Sequence, residues 1–168
     1  MNLFTRKTIK NVSLICGGVI SSGYILSKIL EPYTIIQTRQ ESMLPTISDG
    51  NLLLAIDVNN PKCTLKKRDI VVFSTPGLGR GRDLAIKRIS NIPFEDISYE
   101  SQNKSINMRI PENHFWMLGD NSKVSIDSRK YGPVPLENVK YKVLFRFWPI
   151  TAAGYVADCD CSAVNKAN

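Results

Sequence analysis

Three short segments carry side chains that could do chemistry together. They are Ser42-Met43-Leu44-Pro45-Thr46, Ala85-Ile86-Lys87-Arg88-Ile89, and Gly119-Asp120-Asn121 running on to Ser125-Ile126-Asp127-Ser128-Arg129. A serine hydroxyl becomes a useful nucleophile only when a neighbouring base takes its proton. The chain has one histidine, His114, so a Ser-His-Asp triad would rest on that residue alone. A lysine can replace the imidazole when burial disfavours its charged form. Lys87, flanked by Ala85, Ile86 and Ile89, is placed for this. Each pKa unit of lowering costs about 1.4 kcal/mol, which desolvation between apolar strands can supply. Read singly, each segment also has a plainer meaning. Ser42 fits a turn serine beside a proline, and Lys87 fits a strand lysine that discourages edge pairing. Gly119-Asp120-Asn121 fits a polar turn that satisfies its own backbone. His114, at the head of an aromatic run, reads as structural.

All three segments together, in this order and within one small domain, resemble the boxes of the type I signal peptidase family. Within that family the likeness is greatest to the subunits of the mitochondrial inner membrane protease. The resemblance covers roughly residues 35 to 150. It implies a serine endopeptidase with Ser42 as nucleophile and Lys87 as general base. It also implies that Ser125 orients the Lys87 amine, and that Asp127 pairs with Arg129, and with Arg88, to fix the loop carrying Ser125. One oxyanion donor would be the Ser42 backbone N–H. The second would come from Gln40, where relatives often carry serine or glycine. The substrate would lie extended between the segment before Ser42 and residues 83–86. Arg129 fits the first catalytic subunit of the mitochondrial complex better than the second, where asparagine tends to replace it. The implied partners are precursor polypeptides with cleavable sorting or leader peptides, a related protease subunit in a heterodimer, and the membrane. No cofactor and no metal are implied.

Three other readings stay open on the sequence. One is a bacterial-type leader peptidase, another a self-cleaving repressor-like peptidase without its DNA-binding module. The third is a non-catalytic peptide-binding β-domain.

The elements that must position these residues read as short strands between turn signals. Tyr33-Thr34-Ile35-Ile36-Gln37-Thr38, Leu52-Leu53-Leu54-Ala55-Ile56 and Asp69-Ile70-Val71-Val72-Phe73 are apolar and largely β-branched or aliphatic. Residues 84–89, 105–110, 114–118 and 139–148 continue the pattern, with a Gly- and Pro-containing loop over 75–81. Sustained helical periodicity is lacking after residue 32. The expectation is a mainly β, signal-peptidase-like, partly closed barrel domain over 32–150, followed by a polar tail over 151–168. Met43, Leu44 and Leu52 to Leu54 are candidates for an apolar patch resting on a bilayer, although core is the plainer reading for the leucines.

With 168 residues, one domain is the default. The net charge of +7 is compatible with nucleic acid, an anionic membrane or a plain basic surface. The basic residues are scattered apart from Lys66-Lys67-Arg68, too short a run for a nucleic-acid stripe. Residues 11–27 are largely apolar and uncharged, with Arg6, Lys7 and Lys10 before them and Lys28 after. We read residues 1–31 as a basic leader and one transmembrane helix, with the positive residues on the inner side. The leader lacks acids before Glu31, which is compatible with mitochondrial import, and would leave the following domain in the intermembrane space. In a bacterium the same rule would place that domain outside the plasma membrane. Cys16, Cys63, Cys159 and Cys161 do not make a disulfide framework, and the Cys-x-Cys pair in the tail reads as unremarkable rather than as a metal site.

Overall fold

The structure, a computed structural model, describes residues 27, 28, 30–61, 63–75, 84–101 and 104–156. The expected leader and nearly all of the expected anchor lie outside the described residues, as do Cys16, Cys159, Cys161 and most of the 75–81 loop. The chain divides into two compact units, Met1–Pro32 and Tyr33–Asn168. Of the first unit only its end is described, where the Glu31 N–H donates to the Ser27 carbonyl and Lys28 pairs with Glu31 on the surface. Among the described residues no helix is long and apolar enough to cross a membrane.

The second unit is mainly β. Its strands are β1 (Tyr33–Gln37), β2 (Leu52–Asp57), β3 (Ile70–Ser74), β4 (Leu84–Asn91), β5 (Asp96–Ser101), β6 (Lys104–Arg109), β7 (His114–Leu118), β8 (Val134–Pro135), β9 (Val139–Trp148) and β10 (Gly154–Tyr155). One helical turn, α1 (Ser128–Tyr131), precedes β8. The main sheet runs β1-β2-β9-β3-β4-β7-β8, with β10 added on β9, while β5 and β6 form a separate hairpin. Neighbours are antiparallel throughout. The end strands β1 and β8 do not pair with each other among the described residues, so this is an open sheet and not a closed barrel. Bulges in β2/β9, β3/β9 and β4/β7 add local twist to it.

The continuous apolar run of β3 follows from its place inside the sheet. Successive side chains on a strand point to opposite faces. Ile70 and Val72 enter one core cluster with Ile36, Met43, Ile47, Leu53, Ala55, Val143 and Val156. Val71 and Phe73 enter a second with Ile89, Phe115, Met117, Val134 and Val139. Both faces of β3 are therefore dry, and each of these fully buried side chains contributes about 1.5–3 kcal/mol.

Two expectations need correction. The tail does not begin at 151, because Gly154 and Tyr155 pair with Arg146 and Phe145, and Val156 is buried in the first cluster. Val156 completes the core although the short run around it carries no strand pattern that would have signalled it. The expected apolar patch is also differently composed. Met43 and Leu53 are buried, whereas Ile35, Trp148, Ile150 and Tyr155 are exposed. Cross-strand register puts Ile35, Leu54, Phe145 and Tyr155 in one row, because one strand face carries every second residue.

Candidate active site

Lys87 lies on β4, opposite Val71 of β3. Its side chain shares strand parity with Ala85 and Ile89, which pack into the second core cluster, and only 3% of the residue is exposed. Burial pushes the amine's pKa below that of an ordinary lysine, while the carboxylates of Asp127 and Asp120 pull weakly the other way. Lys87 Nζ lies 2.7 Å from Ser42 Oγ and donates to the Ile86 carbonyl at 3.1 Å. The first distance is within reach for direct proton transfer.

Ser42 sits in a tight turn between β1 and β2. The Leu44 N–H donates to the Glu41 carbonyl, the Ile47 N–H donates to the Met43 carbonyl, and the Leu44–Pro45 peptide is cis. Met43 and Ile47 anchor the turn in the first core cluster and leave Ser42 half-buried above it. The third segment grips the turn from the other side. The Asn121 N–H donates to the Ser42 carbonyl at 3.0 Å, and Asn121 Nδ2 donates to the Glu41 carbonyl at 3.2 Å. Gly119 is needed here for close approach. A Cβ on it would stand 2.2 Å from Ser125 Oγ and 2.6 Å from the Ser42 carbonyl oxygen.

Asp127 is fully buried and caps α1. It accepts from the Arg129 guanidinium through both carboxylate oxygens, at 2.8 and 2.7 Å, and from the Gly119 N–H at 3.1 Å. Burial alone would raise its pKa. The Arg129 and Gly119 bonds prevail and hold the carboxyl below the usual range, with a further contribution from the Ser125 hydroxyl, whose geometry falls short of a hydrogen bond. The pairing with Arg129 is as expected, but Arg88 is not part of it. Arg88 instead forms a two-pronged ion pair with Asp120, at 2.8 and 2.7 Å, and donates to the Arg68 carbonyl. The reason is register: Arg88 faces Leu118 across β4/β7, which brings Asp120, two residues further on, within reach.

Two other expected roles differ. Ser125 is buried, yet its hydroxyl has no hydrogen-bond partner among the described residues. The bonds of Lys87 run to Ser42 and Ile86, because Ser125 is wedged against the Gly119 backbone. The Gln40 backbone N–H is taken by the Asp49 carboxylate at 3.2 Å, which leaves the exposed side-chain amide as that residue's only free donor. The Ser42 N–H has no acceptor among the described residues and stays available. His114 donates from Nδ1 to the Glu112 carbonyl at the start of β7, with no bond to Ser42. Asp120 and Asn121 were read only as turn formers. The pairing of Asp120 with Arg88 depends on the β4/β7 register, and the two Asn121 bonds to the Ser42 turn carry no sequence signal.

Together these residues put a half-buried hydroxyl against a buried amine of lowered basicity, beside a strand edge. β7 pairs with β4 only at Arg88, Ile89 and Asn91, so along residues 84–87 that edge of β4 has no strand partner among the described residues. An extended peptide could add there.

Comparisons with known proteins give the family. The chain is 32% identical over 121 residues to the mitochondrial inner membrane protease subunit 1 of Schizosaccharomyces pombe, covering 70% of this chain and 74% of that protein. It is 27% identical over 126 residues to subunit 1 of Mus musculus, covering 74% and 75% of the two chains. Subunit 2 of the Saccharomyces cerevisiae protease is 32% identical over 123 residues, covering 68% of each chain. A solved signal peptidase I from Enterococcus faecalis aligns with a TM-score of 0.39 at 22% identity, over 46% of this chain and 94% of that one. The model of the signal peptidase family, peptidase S26, matches residues 7–108 and 95–148, and the chain belongs to that family.

Proposed function

We propose that this chain is a membrane-anchored serine endopeptidase using a Ser42/Lys87 dyad. The observation that carries the reading is the 2.7 Å approach of a buried, low-basicity Lys87 amine to Ser42 Oγ. Lys87 takes the Ser42 proton as Oγ attacks the substrate carbonyl carbon. The resulting oxyanion accepts from the Ser42 N–H, with the Gln40 side-chain amide as the candidate second donor. Collapse breaks the C–N bond, and Lys87 returns the proton to the leaving amine, so that an acyl-Ser42 ester remains. Water then attacks the ester with Lys87 again as base, freeing the acid and restoring the serine. The substrate lies along residues 84–86 of β4. Ser125 and the Asp127–Arg129 and Arg88–Asp120 pairs hold the loops in place.

By likeness to the mitochondrial relatives, the substrates are precursors delivered to the intermembrane space, from which the enzyme removes sorting or leader peptides. The same likeness supports an inner-membrane location with the catalytic domain facing the intermembrane space, and a related subunit as partner. The basic leader and the apolar segment 11–27 support a transmembrane anchor, and exposed Ile35 and Tyr155, in one row with half-buried Leu54 and Phe145, suit a domain that rests on a bilayer.

The test is cleavage of a leader-bearing precursor by the detergent-solubilised full chain, alone and with a related subunit, reading the new amino terminus by mass spectrometry. Ser42→Ala and Lys87→Ala should each abolish cleavage while the far-UV CD stays unchanged. Wild-type cleavage by either variant overturns the dyad.

A further inference from the structure

Arg146 is a half-buried guanidinium on β9 that forms no ion pair among the described residues. Its bonds go to two backbone carbonyls. Nε donates to the Ala152 carbonyl at 2.6 Å, and Nη1 donates to the Thr46 carbonyl at 2.5 Å. Thr46 closes the turn that carries Ser42, and its hydroxyl in turn contacts Arg88 Nη2 at 3.4 Å and supports the Asp120 carboxylate. The far end of the nucleophile turn is thus held by two guanidinium groups, one on the Thr46 carbonyl and one on its hydroxyl. Asn121 holds the near end. The Ala152 carbonyl belongs to the short 3-10 turn of Ile150–Ala152, which leads into β10 and the buried Val156.

On the proposed Ser42/Lys87 reading, we infer that Arg146 is a positioning residue for Ser42. It acts through the Thr46 carbonyl and ties the segment after Pro149 to the nucleophile turn. A guanidinium suits this task because its rigid fork can serve two carbonyls that face it from different segments. An ammonium offers its protons from a single atom, and a neutral side chain of similar length leaves the Thr46 carbonyl without its charged donor. Shifts of about 1 Å in a reacting group can cost about a hundredfold in rate.

Arg146→Ala and Arg146→Lys are assayed as solubilised full chains on the precursor, well below their melting temperatures and normalised to the folded fraction. Arg146→Ala should lower kcat about ten- to a hundredfold, with KM within twofold of wild type. The pH at which activity rises should not move, because Lys87 is untouched. Arg146→Lys should recover part of kcat, and so should added guanidinium ion with the alanine variant at concentrations that leave wild type unaffected. A wild-type kcat per folded molecule in Arg146→Ala overturns the inference, as does a loss carried by KM or a shifted pH profile. If the alanine variant does not fold, Arg146→Lys decides on the same readouts, and wild-type kcat and KM there count against it. Ser42→Ala separates the two readings: residual cleavage there sinks the dyad, whereas an inactive Ser42→Ala beside a fully active Arg146→Ala sinks only the role of Arg146.

Discussion

Replacing Gly119 by alanine adds one methyl group at the point where the Ser42 turn and the Ser125 loop meet. That methyl would stand 2.2 Å from Ser125 Oγ, 2.6 Å from Ser125 Cβ and 2.6 Å from the Ser42 carbonyl oxygen. Comfortable contact needs about 3.5 Å, so each gap falls short by about 1 Å. Ser125 could yield by moving its loop, but that loop ends on Asp127, which also holds the Gly119 N–H. The Ser42 carbonyl cannot yield without carrying its own hydroxyl away from Lys87 and straining its bond from Asn121. We expect a stability loss of about 1–3 kcal/mol from overpacking, and a fall in kcat of about a hundredfold from misplacement of Ser42. Thermal melts read the first and precursor cleavage per folded molecule reads the second. Gly119→Ala/Ser125→Gly removes two of the three clashes, so it should regain stability while kcat stays low. Wild-type kcat in folded Gly119→Ala would refute the packing argument, and full recovery of kcat in the double variant would show that the Ser42 contact does not matter.

Two further predictions concern charge. Because burial lowers the Lys87 pKa in the folded protein, the unfolded chain binds that proton more readily. Wild-type stability should therefore fall as pH drops from about 10.4 toward the folded value, and stay level below it. Lys87→Met removes this slope, so urea melts of the two proteins should diverge in favour of the variant as pH is lowered, and parallel curves would count against a shifted Lys87. Arg88→Met leaves the Asp120 carboxylate uncompensated, and Asp120 already favours the charged amine. The rise of kcat/KM with pH should move to higher pH, and an unmoved or lowered midpoint would contradict the sign.

Much of this arrangement was legible in the sequence because it rests on local rules. The strands at 114–118 and 139–148 follow from runs of apolar and β-branched residues, and α1 is too short to carry a period that could have been seen. The hairpin partner β5 was missed: Asp96-Ile97-Ser98-Tyr99-Glu100 carries three polar residues, and it is fixed by its register with β6 and the contact of Tyr99 with Trp116. β10 was missed for a similar reason, since Gly154 and Tyr155 become a strand only because β9 offers an edge there. At the site, Ser42 and Lys87 stood out through the resemblance of their segments to the signal peptidase boxes, because read singly each also fits a plainer role. The partner of Arg88 could not, because the β4/β7 register decides between Asp120 and Asp127, and register is a tertiary property. The orphaned Ser125 hydroxyl likewise depends on a backbone approach that no spacing encodes.

That arrangement also explains how two carboxylates can sit near a lysine whose pKa is lowered. An unpaired aspartate close to a buried amine would stabilise the ammonium and oppose the desolvation that lowers the Lys87 pKa. Here each aspartate is answered by an arginine gripping it with two bonds, Asp120 by Arg88 and Asp127 by Arg129. A tightly paired carboxylate presents a dipole to its surroundings, and the field of a dipole falls off faster than that of a charge. Burial accordingly remains the first cause at Lys87 and the two carboxylates only oppose it. Asp127 is thus free to build the loop, by capping α1 and accepting from the Gly119 N–H, with its charge answered by Arg129. Hydrophobic residues at positions 120 and 127 would spare the amine that field, but they would take two bonds from each of two guanidinium groups and the acceptor from a backbone N–H. Paired charge is the arrangement that holds the loop while burial keeps the pKa of the amine lowered.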